Sequence, residues 1–236
     1  MRRTKERHID RRIAPHIPPA TTKAGRADAA RFGALWRRCV ASPPSPDGAR
    51  VYADLASRLG APGRRFHNLS HIDDCLQRLD EVAPHLDDRD AVELALWFHD
   101  AVYEPGNPDN ERRSAELFLA QSAGARPLFR RRVAALILTT RRNRTPRSND
   151  CKFIDDIDLA GFGASWDEFM RNGKLLRREF AGQSDADYNR GLAGFLGSLR
   201  RRPRFFRTDW FAERLETQAR SNLERVLADL TAPAKR

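Results

Sequence analysis

Four side chains carry the densest chemistry in this chain: His71, His99 with Asp100 directly after it, and Asp158. Brought together, two imidazoles and two carboxylates suit a divalent transition ion. His99 and Asp100 close the stretch Ala91-Val92-Glu93-Leu94-Ala95-Leu96-Trp97-Phe98, which is apolar nearly all the way round a helix and so reads as buried. A buried charge has to be paired, neutralised or coordinated, and no Lys or Arg stands within one turn N-terminal to the pair. Coordination is the economical reading. Asp155, Asp156 and Asp158 sit within four residues, interleaved with Phe153, Ile154, Ile157 and Leu159. A cation would relieve the repulsion between such carboxylates in an apolar neighbourhood, whereas a solvated acidic turn is the plainer alternative. Mixed nitrogen and oxygen ligation favours one Mn, Fe, Co or Zn ion over Mg, which prefers oxygen and keeps its waters.

Helices must position these groups, since no run alternates with strand period and the expected fold is an all-α bundle. A helix is expected from Leu69 to about Val82, capped by Asn68 and carrying His71. Another should run from about Asp88 to Tyr103 with His99 and Asp100 on it, ended by Pro105-Gly106-Asn107-Pro108. Further helices are expected from Asp109, itself read with Asn110 as a cap, to about Ala120, and from Pro127 with an apolar stripe of Leu128, Val133, Leu136 and Ile137. Segments near Ser165 to Phe180, Asp187 to Arg200 and Thr208 to Leu230 also read helical, the last with Phe211, Leu215, Leu223, Val226 and Leu227 as its apolar side. Adjacent residues on one helix point about 100° apart, so His99 and Asp100 can flank an ion that other helices close.

A chain of 236 residues with 40% hydrophobic content can bury one substantial core, and 31–230 is expected to be a single helical domain, followed by a tail at 231–236. No uncharged stretch approaches the roughly 20 residues needed to span a bilayer, and the start lacks the apolar core of a secretory signal. Cys39, Cys75 and Cys151 are odd in number and widely spaced, so a reduced, cytoplasmic protein is expected. The net charge of +11 is concentrated: 1–30 holds eight Lys/Arg against three Asp/Glu, and 125–152 holds nine against one. The first segment reads as a disordered basic arm, with nucleic acid an available but disfavoured partner. The second could deliver Arg141, Arg142, Arg144, Arg147 and Lys152 close to the metal, where guanidinium forks hold phosphates well.

The order His, His-Asp, Asp resembles the HD superfamily of metal-dependent phosphohydrolases. More narrowly, the chain is similar to the small predicted HD phosphohydrolases through Phe66-His67-Asn68-Leu69-Ser70-His71-Ile72, Leu96-Trp97-Phe98-His99-Asp100-Ala101-Val102-Tyr103, Pro108-Asp109-Asn110-Glu111-Arg112-Arg113-Ser114-Ala115 and Asp156-Ile157-Asp158-Leu159, across roughly Arg31 to Leu230. The resemblance implies an HD-domain-like bundle with His71, His99, Asp100 and Asp158 as metal ligands. Asp158 is preferred over Asp156 because the superfamily's last Asp precedes a large side chain. The chain departs from that pattern at Arg141-Arg142-Asn143, where relatives carry a histidine, which bears on whether a second metal binds. It departs again at Leu192, where relatives carry an arginine, so that either one substrate contact is lost or Arg190 or Arg178 serves instead.

The activity so implied is hydrolysis of a phosphate ester or anhydride, with a small phosphorylated substrate, a nucleotide foremost. Asp100, Glu104 and His67 are the candidate catalytic groups, with Tyr103 and Glu111 behind Glu104, and Arg141, Arg142, Lys152 and Arg112 are the candidate phosphate contacts. His67 serves equally well as a structural hydrogen-bond donor at a helix entrance. The rival class is a protein of HD type that binds a nucleotide or nucleic acid around a structural metal without cleaving anything.

Overall fold

The computed structural model describes residues 25–40, 43–142 and 145–231. Among them the chain forms ten α-helices and no strand: α1 (Ala29–Cys39), α2 (Gly48–Leu59), α3 (Leu69–Val82), α4 (Arg89–Phe98), α5 (Asn110–Gln121), α6 (Pro127–Thr139), α7 (Asn149–Leu159), α8 (Trp166–Glu179), α9 (Asp185–Arg200) and α10 (Asp209–Thr231). The all-α expectation holds, and every helix except α8 contributes buried apolar residues to one core. Most of the expected basic arm and nearly all of the tail, together with Arg144, lie outside the described residues. No helix among those described is long and apolar enough to cross a membrane.

The bundle is organised around α4. All eight residues from Ala91 to Phe98 are buried, and the helix packs against α1, α3, α5, α6 and α7. Its one charged residue in that run, Glu93, is buried because Arg31 of α1 reaches it at 2.6 Å and also forks onto Asp80 of α3. A ring cluster of Phe32, Trp36, Trp97 and Phe98, stacked for Phe32–Trp36 and Trp36–Phe98 and edge to face for Phe32–Trp97, fills the space between α1 and α4. Burying such aromatic surface supplies the main driving force for closing the bundle. Capping fixes the helix starts: Asn68, Asp88, Ser148, Ser165 and Ser184 each accept a backbone N–H from the first turn of the helix they precede.

Several expectations are corrected. The helix carrying His99 was expected to reach Tyr103, but α4 ends at Phe98 with His99 as its C-cap. The reason lies in α5, whose side chains take over the backbone that follows: Ser114 Oγ accepts from Val102 N–H, and Asn110 both accepts from Glu104 N–H and donates to its carbonyl. Asn110 therefore holds the preceding loop rather than capping α5, and Asp109 makes no capping bond from its side chain. Leu128 is 74% exposed, so the core stripe of α6 runs through Val133, Leu136 and Ile137 without it. Helices α1, α2 and α7 were not anticipated. At Gly163, a Cβ would come within 2.6 Å of Leu215, so only glycine lets α10 pack this closely against the turn after α7.

Candidate metal centre

Three helix ends meet at one buried cluster. His71 projects from the first turn of α3, His99 and Asp100 come from the end of α4, and Asp158 from the last turn of α7. His71 Nε2 lies 3.2 Å from His99 Nε2 and 3.1 Å from Asp158 Oδ1. His99 Nε2 lies 3.1 Å from Asp100 Oδ2 and 3.4 Å from Asp158 Oδ1, and Asp100 Oδ2 is 3.7 Å from His71 Nε2. Two ligands bonded at 2.0–2.1 Å to one tetrahedral ion stand about 3.4 Å apart. These five separations lie close to that spacing, and the donor types fit a divalent transition ion.

The tautomers support that fit. His99 Nδ1 donates to the Leu96 carbonyl at 2.8 Å, which leaves Nε2 with its lone pair toward the other three donors. Without a cation the cluster must hold a proton instead. Burial alone would lower the His99 pKa, but the Asp100 and Asp158 carboxylates outweigh it and raise it well above the ordinary value. Burial pushes Asp100 up while His99 and His67 pull it down further, so it stays ionised. Asp158 is likewise held well below the usual carboxylate range, with Arg142 and His99 overcoming burial.

Sequence reasoning left two groups of this centre unassigned. Cys75, one turn beyond His71 on the same face of α3, places Sγ 3.7 Å from His71 Nε2 and belongs with His71, His99 and Asp158 to the buried cluster able to hold a metal ion. Burial, with Asp158 and Asp74 adding to it, keeps its thiol protonated in the metal-free chain. Its signal was the i, i+4 spacing. The second is Glu179, which bonds His67, and no local pattern could tie residues 112 positions apart.

Asp156 and Asp158 separate cleanly. Asp156 is fully buried and faces the start of α10, accepting from the N–H groups of Arg207 and Thr208 and from the Thr208 hydroxyl at 2.7–2.8 Å. Burial raises its carboxyl to about 6 even against these donors. Asp158 alone of the two reaches the histidines.

The candidate phosphate contacts do not assemble as one patch. Arg142, in the left-handed region at φ 57°, turns inward and forms ion pairs with Asp158 and Asp155, so its fork is taken up by carboxylates. Arg112 is committed to Asp109 and Glu116 on the surface. Lys152 lines a separate cavity of about 580 Å³ with Arg207, Trp210 and Arg214. Arg141 is exposed at the end of α6. Glu104 is exposed and bonded to Arg113 and Asn107. Glu111 is instead partly buried, and its carboxyl is raised by burial and by the Asp100 charge.

No family model matches the chain, and neither the curated proteins nor the solved structures contain a significant match to it.

Proposed function

We propose that this chain is a metal-dependent phosphohydrolase of HD type, cleaving a phosphate ester or anhydride of a small phosphorylated substrate, a nucleotide foremost. The observation that carries the reading is the convergence of His71 Nε2, His99 Nε2, Asp100 Oδ2 and Asp158 Oδ1 within 3.1–3.7 Å of one another over the pairs measured above. A divalent Mn, Fe, Co or Zn ion held there would supply Lewis acidity toward a phosphoryl oxygen and lower the pKa of water toward neutrality. The protein's own contribution is positional. Asp100 sits at the helix end, where the chain leaves α4 and the site meets solvent, while His71 and His99 are buried behind it. His67 is close enough to Asp100 to stabilise its ionised form, and so stands where a proton could be passed to or from the reacting group. Glu111 is better placed than Glu104 to assist, because Glu104 is held on the surface by Arg113.

Arg142 gives the reading its particular form. Its guanidinium supplies a fixed positive charge on Asp158 Oδ2, the oxygen turned away from the histidines, where a second cation would otherwise bind. The site is accordingly proposed to take one ion. The test is release of phosphate or pyrophosphate from a panel of nucleotides with Mn²⁺ added, for the native chain and for Asp100→Ala. Turnover lost in the variant supports the hydrolase. Absence of turnover with every nucleotide, together with tight nucleotide binding that survives Asp100→Ala, replaces it with the binding protein.

A further inference from the structure

Outside the four-atom cluster, the most completely built polar group is Glu179, the last residue of α8. Its side chain is 1% exposed. Oε1 accepts three successive backbone N–H groups, from Arg65, Phe66 and His67 at 2.7, 2.7 and 2.9 Å, and Oε2 lies 2.6 Å from His67 Nδ1. Burial pushes this carboxyl up, but His67 and the backbone donors hold it below the ordinary glutamate value, so it is an acceptor. Nδ1 must then carry the proton.

The rest of His67 is gripped as firmly. Its ring stacks on Tyr103 with centroids 4.2 Å apart, and Tyr103 in turn packs under the Arg64 guanidinium. Arg64 donates to the carbonyls of His67, Asp100 and Ala101, tying the turn before α3 to the end of α4. If the carboxylate only pinned the turn, Oε1 alone would suffice. Beyond the turn the carboxylate also meets the Tyr103 hydroxyl, and its second oxygen bonds a histidine that borders the metal centre edge-on to His71, with ring centroids 5.9 Å apart.

We propose that Glu179 is a positioning residue of the hydrolytic site: acting through His67, it fixes the Nδ1–H tautomer and confines proton traffic to Nε2. The proposal rests on the phosphohydrolase reading. In the step it serves, a bond forms between the water oxygen and phosphorus, and the bond from phosphorus to the leaving oxygen breaks with its electron pair going to that oxygen. Nε2 of His67 takes the proton shed by the attacking water, and the imidazolium so formed gives that proton to the leaving oxygen, which returns Nε2 to its bare state. Throughout, Nδ1 keeps its proton and Glu179 its charge, the division of labour in which a buried carboxylate orients a working imidazole.

Glu179→Gln tests this in the full-length protein. The Gln oxygen still accepts the backbone N–H groups, whereas its NH₂ donates to Nδ1 and drives the ring proton to Nε2. Long-range ¹H–¹⁵N NMR of the His67 ring should show Nδ1–H in the native chain and Nε2–H in the variant. Phosphate release with Mn²⁺ should show kcat reduced by about 10²–10⁴-fold, with KM and Mn²⁺ affinity unchanged. His67→Ala should be as slow as the double variant His67→Ala/Glu179→Gln, because one residue acts through the other. An Nε2–H ring in the native chain overturns the proposal even if the Gln variant does not fold. So does a flipped tautomer with undiminished kcat, or additive losses in the double variant. A native chain that turns over no substrate overturns the hydrolase reading, while the spectrum still decides whether Glu179 sets the tautomer.

Discussion

Helix α7 presents the same residue type to two very different surroundings. Toward α10, Asp155 and Asp156 meet donors: Arg142, Arg202 and Arg207 surround Asp155, and three N–H and O–H groups saturate Asp156. Toward α3 and α4, the inner oxygen of Asp158 meets two imidazole nitrogens, with a second carboxylate beyond. A buried carboxylate ringed by donors is finished as structure, while one ringed by other lone pairs is incomplete until a cation or proton arrives. Arg142 spans both sides, forming an ion pair with Asp155 and occupying only the outer oxygen of Asp158.

Breaking each side in turn should give opposite signatures. His99→Ala or Asp100→Ala is expected to weaken Mn²⁺ or Zn²⁺ binding by more than about 100-fold, beyond what loss of an outer partner costs, with folding retained; titration calorimetry reads the first and circular dichroism the second. Asp156→Ala should do the reverse, lowering stability by roughly 2–4 kcal/mol through three orphaned donors at the start of α10 while leaving one ion bound per chain. A chelator-resistant fold with normal metal uptake in His99→Ala would erase the distinction between the two sides.

Arg142→Met sharpens the comparison because it alters the bridge. Removing a positive charge from Asp158 should tighten divalent-ion binding by roughly tenfold, and a variant that binds the ion more weakly would show that the guanidinium is not competing for the same carboxylate. The smallest effect concerns protons. The raised His99 pKa means that the metal-free chain holds an imidazolium there, so its stabilisation is present below about 6.5 and lost as pH rises through the raised folded value. Metal uptake at neutral pH must expel that proton, and affinity should fall as pH falls. Calorimetry in buffers of different ionisation enthalpy should report close to one proton released, and none released would contradict the assignment.

Much of this was legible in sequence because it was local. The nearly all-apolar run before His99 announced a central helix, and Asn68, Ser165 and Thr208 marked helix starts to within a residue. What escaped was set by distant partners. The end of α4 was misplaced because Ser114 and Asn110, both on the next helix, capture its following backbone. Helix α7 went unassigned because three aspartates argue for a turn unless the guanidinium groups and N–H donors that neutralise them are known. Arg142 looked like a phosphate fork for the same reason, since its two carboxylate partners lie 13 and 16 positions away. Lys152, basic and near in sequence, belongs to another surface altogether.

The most direct test of the central claim is anomalous scattering from crystals soaked in Mn²⁺ or grown with Zn²⁺. One peak per chain is expected, roughly 2.0–2.2 Å from His71 Nε2, His99 Nε2, an Asp100 oxygen and Asp158 Oδ1. A chain saturated with the ion in solution but showing its peak elsewhere, or none among these four atoms, would contradict the account.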